Sequence, residues 1–338
     1  MSLCPSTPLL PSLTFCSTPH LLFQIIAAFI LDIIIGDPQW RYHPVRLIGK
    51  FVENLEHVLR RLPIPERPAG ILLTMSITGP VWLLSSVVML VTGQWCCFCG
   101  IISGVIIIYF SISIKSLADE AKKVMHFLKK NDLIKARKAL SQIVGRDTAH
   151  LNDEQIIRAC IETVAESTVD GVLSPLLFAF MGGPSAAMAY RAVNTMDSMV
   201  GHKDEKYLRF GWASARLDDI ANYLPARISA VLIPVAAFFC GYSPVRSLRI
   251  AIRDGRKHES PNSGIPEAAM AGALGVQLGG PSSYQGEIIA KSFIGDAHNQ
   301  LTLSAINGAI KIMFVTAILF LAGGIGIVMA LKLLLLAS

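Results

Sequence analysis

The sequence predicts an all-α fold: a polytopic helical membrane protein with cytoplasmic helices and polar loops that carry the site. Three observations predict it. The 338 residues are 52% hydrophobic and only 16% charged, with mean hydropathy +0.52, whereas soluble domains carry about 25% charged residues. Several apolar runs approach or exceed the roughly 20 residues that cross a bilayer. Lys and Arg cluster in alternate links between those runs, the pattern of a multi-pass chain.

The elements follow in chain order. Residues 1–20 hold Pro5, Pro8, Pro11 and Pro19 and no Lys or Arg. They lack the positive region of a secretory signal and are expected to be a disordered extension. Residues 21–338 are expected to form a single integral-membrane helical domain. Its first span is 21–36, interrupted by Asp32. Ile71 to Ile114 contains no charged residue and supplies two spans, 70–92 and 98–114, hinged near Gly93 to Gly100. Ala118 to Leu140 is rich in helix formers and reads as an exposed cytoplasmic helix. Residues 171–193 contain Pro175, Gly182, Gly183 and Pro184, and residues 223–242 contain Pro225 and Pro234. Each is a span or a broken, re-entrant helix packed inside protein. Residues 312–331 form the last span.

Charge sets the orientation. Arg41, Arg46, Lys50, Arg60, Arg61 and Arg67 follow the first run, the next link is uncharged, and a Lys-rich segment starts at Lys115. The order is outside, inside, outside, inside. The basic loop at Arg253 then also faces the cytoplasm, so 171–193 and 223–242 both span or neither does. The basic balance suits anionic lipid, and no basic stripe with interleaved aromatics points to nucleic acid. Seven cysteines form no disulfide framework. Cys96 and Cys99 have C-x-x-C spacing, but no second pair completes a zinc site, and they read as interfacial thiols.

Four polar constellations interrupt the apolar pattern. In GDPQWRYHPVRLIG, Asp37, His43 and Arg46 share one short turn, which suits anion or metal binding as well as a plain interfacial turn. In ESTVDGVLSP, Glu166 and Asp170 continue a spacing begun at Glu162 that stacks three carboxylates on one helical face. That face is either solvated or a divalent-cation site. In RAVNTMDSMVGHKD, Arg191, Asn194, Asp197 and Ser198 share a face directly after an apolar run, where polar groups need partners. In GWASARLDDIANYLPAR, Asp218 and Asn222 lie on one face and Asp219 beside them. Adjacent carboxylates suit Mg²⁺, which takes one or two carboxylates plus phosphate oxygens and water.

RDGRKHESPNSG adds cations. Arg253, Arg256, Lys257 and His258 suit phosphate, Pro261, Gly264 and Pro266 shape the turn, and Glu267 opens a small-residue helix, AAMAGALGVQLGG. Lipid headgroups are the competing ligand. Walker, Rossmann, nucleophile-elbow and H-E-x-x-H motifs are missing from the sequence.

GDPQWRYHPVRLIG, the stretch from ESTVDGVLSP through LDDIANYLPAR, and RDGRKHESPNSGIPEAAMAGALGVQLGGPSSYQG together resemble the adenosylcobinamide-phosphate synthase family (CbiB/CobD) of cobalamin biosynthesis. The similarity runs from about Leu31 to Gly286, and the last span fits it. The resemblance implies a multi-pass ligase of the cell membrane. It would join adenosylcobyric acid to (R)-1-aminopropan-2-ol phosphate, or the free amino alcohol, with ATP as co-substrate and Mg²⁺ as cofactor.

On that footing Asp197, Asp218 and Asp219 are the expected Mg²⁺ ligands, with Glu166 or Asp170 assisting. His43, His258 and Lys257 are the catalytic candidates. Asp37, Arg46, Asn194, Arg227, Arg253, Arg256, Asn262 and Glu267 are expected to bind substrate or phosphate. Expected partners are the two substrates, membrane lipid, other corrinoid-pathway membrane enzymes and a second copy of the chain, with no nucleic acid. The rival readings are a non-catalytic corrinoid transporter or scaffold, and a Mg²⁺-dependent membrane prenyltransferase.

Overall fold

The structure, a computed structural model, describes residues 18–337 apart from Gln39, Lys203 and Gln285. Most of the expected N-terminal extension, 1–17, lies outside the described residues. Thr18 to His20 belong to the first helix instead.

Helix α1 (Thr18–Ile35) packs along α4 (Cys97–Tyr109). Its buried Gln24 donates to the Gly100 carbonyl at 3.2 Å. A Cβ at Gly104 would stand 2.3 Å from the same amide nitrogen, so a glycine is needed for the approach. Asp32 is fully buried and is engaged by backbone amides. Its Oδ2 accepts the backbone N–H groups of Ile114 at 2.9 Å and Lys115 at 3.2 Å, the open end of α5 (Ile114–Lys129). A carboxylate there satisfies orphan donors and meets the positive end of the helix dipole.

Helix α2 (Pro44–Leu59) starts with Pro at its first position and buries Ile48, Val52 and Leu59. Helix α3 (Glu66–Trp95) is 30 residues long, about 45 Å, and an extended Cys96 separates it from α4. The expected hinge falls there. Ala118 to Leu140 is not one exposed helix. α5 ends at Lys129, Asn131 takes a left-handed φ of 55°, and Asp132 caps α6 (Leu133–Leu140) through the Lys135 amide. Ala118, Ala121, Val124, Leu128, Ala136 and Leu140 are buried in the main core, so the pair packs inward and only its Lys-rich face is exposed.

Helix α7 (Asp153–Thr168) opens on a full capping box of Asn152 and Gln155. It runs through a π-helical turn, Val169–Leu173, into α8 (Ser174–Val200). α8 breaks at Gly182 and Gly183, the latter at φ 72°, ahead of Pro184, so residues 171–193 form a broken helix. α9 (Trp212–Ala221) and α10 (Tyr223–Phe239) meet at Asn222 with a bend of 43°. α11 (Pro244–Asp254) and α12 (Gly264–Leu274) form a tight pair. α12 begins before Glu267 and stops at Gly275, whose φ of 70° ends it in a left-handed cap. The chain then turns into short strands: β1 (Leu278–Gly279) pairs antiparallel with β4 (Phe293–Ile294), and β2 (Ser282–Tyr284) with β3 (Glu287–Ile289). Gly279 and Gly280 therefore lie outside the expected helix. The long α13 (Leu303–Ala337) closes the chain.

Among the described residues, four helical stretches are long and apolar enough to cross a membrane, or five if α9 and α10 count as one bent span. α3, α4 with α5, α7 with α8, and α13 are the four. α1 is apolar but shorter. The fold is all-α and polytopic.

Candidate functional site

The site grows from one face of α7. The Glu166 carboxylate accepts a hydrogen bond from Ser263 Oγ at 2.8 Å, which ties the loop between α11 and α12 to α7. The same loop is bonded on its other flank. Asn262, buried, donates from Nδ2 to the Asp219 carbonyl at 2.8 Å and accepts from the Arg227 guanidinium. Arg227 also donates to the Pro261 carbonyl at 3.2 Å and lies over the Tyr223 ring, 3.7 Å from its centroid. Residues Pro261 to Ser263 therefore bridge α7 to the α9–α10 junction.

At that junction Asn222 is a hub. Its Nδ2 donates to Asp218 Oδ2 at 2.8 Å. Its Oδ1 accepts from Ser174 Oγ at 2.5 Å and from Tyr190 at 2.8 Å. Asp218 is buried, and its Oδ1 has no partner in hydrogen-bond geometry, although Asn194 stands beside the carboxylate. Asp170, Asp197, Asp218 and Glu166 lie in one another's electrostatic field, with Asp219 acting on Asp197 and Asp218. The expected metal set therefore occupies one neighbourhood. It is not a closed cage: among the described residues no three His, Cys, Asp or Glu groups stand close enough to hold a metal by themselves. The donor chemistry suits Mg²⁺, because Asp218 Oδ1 is a buried carboxylate oxygen that no donor reaches in aligned geometry, and that ion needs few protein ligands when phosphates and waters supply the rest.

The π-helical turn changes the expected stacking. Asp170 falls in that i→i+5 turn, where the regular i, i+4 spacing no longer holds, yet it still feels the charge of Glu166. Glu162 faces elsewhere: its Oε2 pairs with Arg146 at 2.6 Å, and its Oε1 accepts the Gly279 N–H at 2.7 Å.

The basic loop is partly a structural knot. Asp254, fully buried, accepts two bonds from Arg253 at 2.8 and 2.7 Å and one from the Gly295 amide at 2.8 Å. Lys257 Nζ lies 2.7 Å from its Oδ1, and Arg253 reaches on to Asp296. The Arg253 guanidinium, with Lys257 and the Gly295 amide, holds the Asp254 carboxyl well below the usual range against the opposing effect of burial. Arg256 is exposed. Lys257 and His258 line a cavity of about 120 Å³ with Glu259, Glu267, Arg146 and Lys291. His258 Nδ1 accepts the Ser260 amide at 3.0 Å, and Nε2 is 3.9 Å from Glu267 Oε1. Burial, then the charges of Glu162 and Glu166, push the Glu267 carboxyl well up. Burial pushes the His258 imidazole down, opposed by Glu166.

Asp37 and His43 form a separate locus. His43 Nε2 lies 2.6 Å from Asp37 Oδ1, outside hydrogen-bond alignment, with the imidazole edge-on to Phe110. The Asp37 amide donates to Ser116. Arg46 is exposed one turn along α2. Arg191 links the two regions, since its charge acts on both Asp32 and Asp170.

Sequence reading missed Arg146, Lys291, Ser174, Tyr190 and Ser263. Arg146 and Lys291 sit in loops without a recognisable motif. Tyr190 and Ser174 fall in an apolar run where a hydroxyl reads as packing.

The family model described as CobD/Cbib protein matches residues 25–313. The chain is 48% identical over 294 residues to a protein of Geobacter metallireducens named "Cobalamin biosynthesis protein CobD", covering 86% of this chain and 91% of that one. It is 46% identical over 298 residues to the Salmonella arizonae "Cobalamin biosynthesis protein CbiB", covering 87% and 93%. A Pelobacter propionicus protein, also named CobD, is 44% identical over 295 residues, covering 86% and 90%. No solved structure matches the chain.

Proposed function

Because the chain belongs to the CobD/CbiB family, we propose that it is an adenosylcobinamide-phosphate synthase. The reaction is amide formation between adenosylcobyric acid and (R)-1-aminopropan-2-ol phosphate or the free amino alcohol, driven by ATP. The observation that carries the site is the bridging of α7 to the α9–α10 junction by Pro261 to Ser263. It gathers carboxylates and cations from three sequence-distant segments around Glu166.

A carboxylate is a poor acyl donor. Attack of its oxygen on the γ-phosphorus of ATP releases ADP and leaves an acyl phosphate. An amine then attacks the carbonyl carbon, phosphate leaves, and the amine proton passes to a base. Asp218, Asp197 and Asp219 would hold Mg²⁺, with Glu166 or Asp170 assisting, and the ion when bound neutralises phosphate oxygens. Asn222 fixes the Asp218 carboxylate and Asn194 flanks it. His258 is the base favoured by position, because it lies between Glu166 and the cavity, and burial favours its neutral form. His43 stands at the other locus, with Asp37 and Arg46 beside it. Arg256 and Lys257 serve phosphate from the loop, with Arg253 ordering it, while Arg227, Asn262 and Glu267 orient substrate. The positive-inside pattern supports a cytoplasm-facing site in the cell membrane. The open faces of the long helices are there for lipid, for a second copy and for neighbouring corrinoid-pathway enzymes.

Purified chain incubated with adenosylcobyric acid, the amine with and without phosphate, ATP and Mg²⁺ should yield a product lighter by one water than the joined reactants, read by mass spectrometry. Asp218→Ala should lose it. No product with either amine sinks the proposal. Corrinoid flux into liposomes or consumption of a prenyl diphosphate would move the chain to the transporter or prenyltransferase reading.

A further inference from the structure

Resting on that reading of the site, we propose that the cavity between α7, α12 and the β-strands seats the acceptor amine. Its ligand is a small molecule bearing both an amine and a phosphate-type oxyanion, with Lys291 selecting the oxyanion. Arg146, Lys291 and the strands were not among the residues expected from sequence.

Size comes first. About 120 Å³ is well below the roughly 300–1,000 Å³ that holds a drug-sized ligand. That scale suits a short amino alcohol derivative better than a whole nucleotide or a corrinoid. Charge comes second. The wall carries both signs, Arg146, Lys257 and Lys291 against Glu162, Glu259 and Glu267, which suits a zwitterion better than a simple anion or cation. The cations differ in what already engages them. Arg146 is paired with Glu162 at 2.6 Å and Lys257 with Asp254 at 2.7 Å. Lys291 Nζ instead donates to the Tyr284 hydroxyl at 2.6 Å, a partner that is not a carboxylate.

Orientation comes third. His258 and Glu267, 3.9 Å apart, are the lining groups that also feel Glu166, the residue shared with the proposed phosphate chemistry. The amine therefore belongs at the His258 and Glu267 end, within reach of an activated carboxyl, and the oxyanion toward Lys291. The wall is preformed: Glu162 holds the Gly279 N–H at 2.7 Å, and Asp147 accepts from Ser283 Oγ at 2.7 Å and Gly286 N at 2.8 Å, anchoring the β2–β3 hairpin that carries Tyr284.

The test measures calorimetric binding of O-phosphoethanolamine and of ethanolamine to the full chain in lipid-free detergent. Wild type should prefer the phosphorylated probe by at least about tenfold, the scale of one good charged contact. Lys291→Gln should cut that preference about tenfold, Lys291→Arg should keep it, and Lys206→Gln, remote from the cavity, should not move it. Equal or absent binding of the two probes by wild type would overturn the inference. So would a preference that survives Lys291→Gln, or binding seen only to phosphatidylethanolamine in nanodiscs, which would make the ligand a lipid headgroup. Amide formation with the probe preference unmoved by Lys291→Gln sinks this inference alone. A normal preference without ATP-dependent amide formation sinks the parent reading alone.

Discussion

Ser263 and Glu166, 97 positions apart in sequence, are joined by a 2.8 Å hydrogen bond between a hydroxyl donor and a carboxylate. That bond ties Glu166, whose charge acts on both Asp170 and His258, to the loop between α11 and α12. Ser263→Ala should leave the fold intact and raise the Mg²⁺ concentration needed for half-maximal activity by about tenfold or more, the usual effect of losing a group that orients a metal ligand. A Mg²⁺ titration of amide formation checks it. An unchanged requirement would remove Glu166 from the metal's surroundings.

Asn222 holds three groups at once, Asp218, Ser174 and Tyr190. Asn222→Ala strands them in a buried setting, at about 1–3 kcal/mol for an unsatisfied polar group. A lower thermal midpoint and a loss of activity larger than the fall in folded fraction are expected together.

Gly201 follows Asp197 by one helical turn, and a Cβ there would stand 1.9 Å from Asp197 Oδ1. Gly201→Ala must therefore displace that carboxylate. Its φ of −79° is open to any residue, but the same Cβ would stand 2.7 Å from the Asp197 carbonyl oxygen, so the substitution should lower stability as well as activity. Parallel rate and melting measurements separate the two.

Asp254 gives a pH signature. A carboxyl held below its unfolded value, about 3.9, adds stability at every pH above that value and loses it as pH falls through the folded one. Arg253 first, then Lys257 and the Gly295 amide, lower Asp254, so its contribution is complete at neutral pH. Asp254→Asn should melt lower than wild type by a constant margin from pH 7 to about 5, and the margin should shrink below about 4.

Much of the fold was legible because apolar runs encode spans directly. The hinge at Cys96 and the breaks at Gly182 and Gly183 follow from local residue types. The split of Ala118 to Leu140 was also locally written, in the Asn131–Asp132 turn and cap, but helix propensity averaged over the window hid it. Site geometry was legible only where partners share a helix, as Asp218 and Asn222 do. The π-helical turn after Thr168 leaves no trace in residue type, and neither does the engagement of Glu162 by Arg146 and the Gly279 amide. Arg146 and Lys291 reach one cavity from segments far apart, which no local pattern reveals.

The cap that Asp32 places on α5 has a consequence for how the chain is made. The acceptor is synthesised 82 residues ahead of its donor at Ile114. Until Ile114 and Lys115 follow, the first helix carries an acidic group that lacks the amides it meets in the folded chain, and burying it unpaired would cost free energy. The cap on α5 is thus completed only after α1, α3 and α4 have all been made.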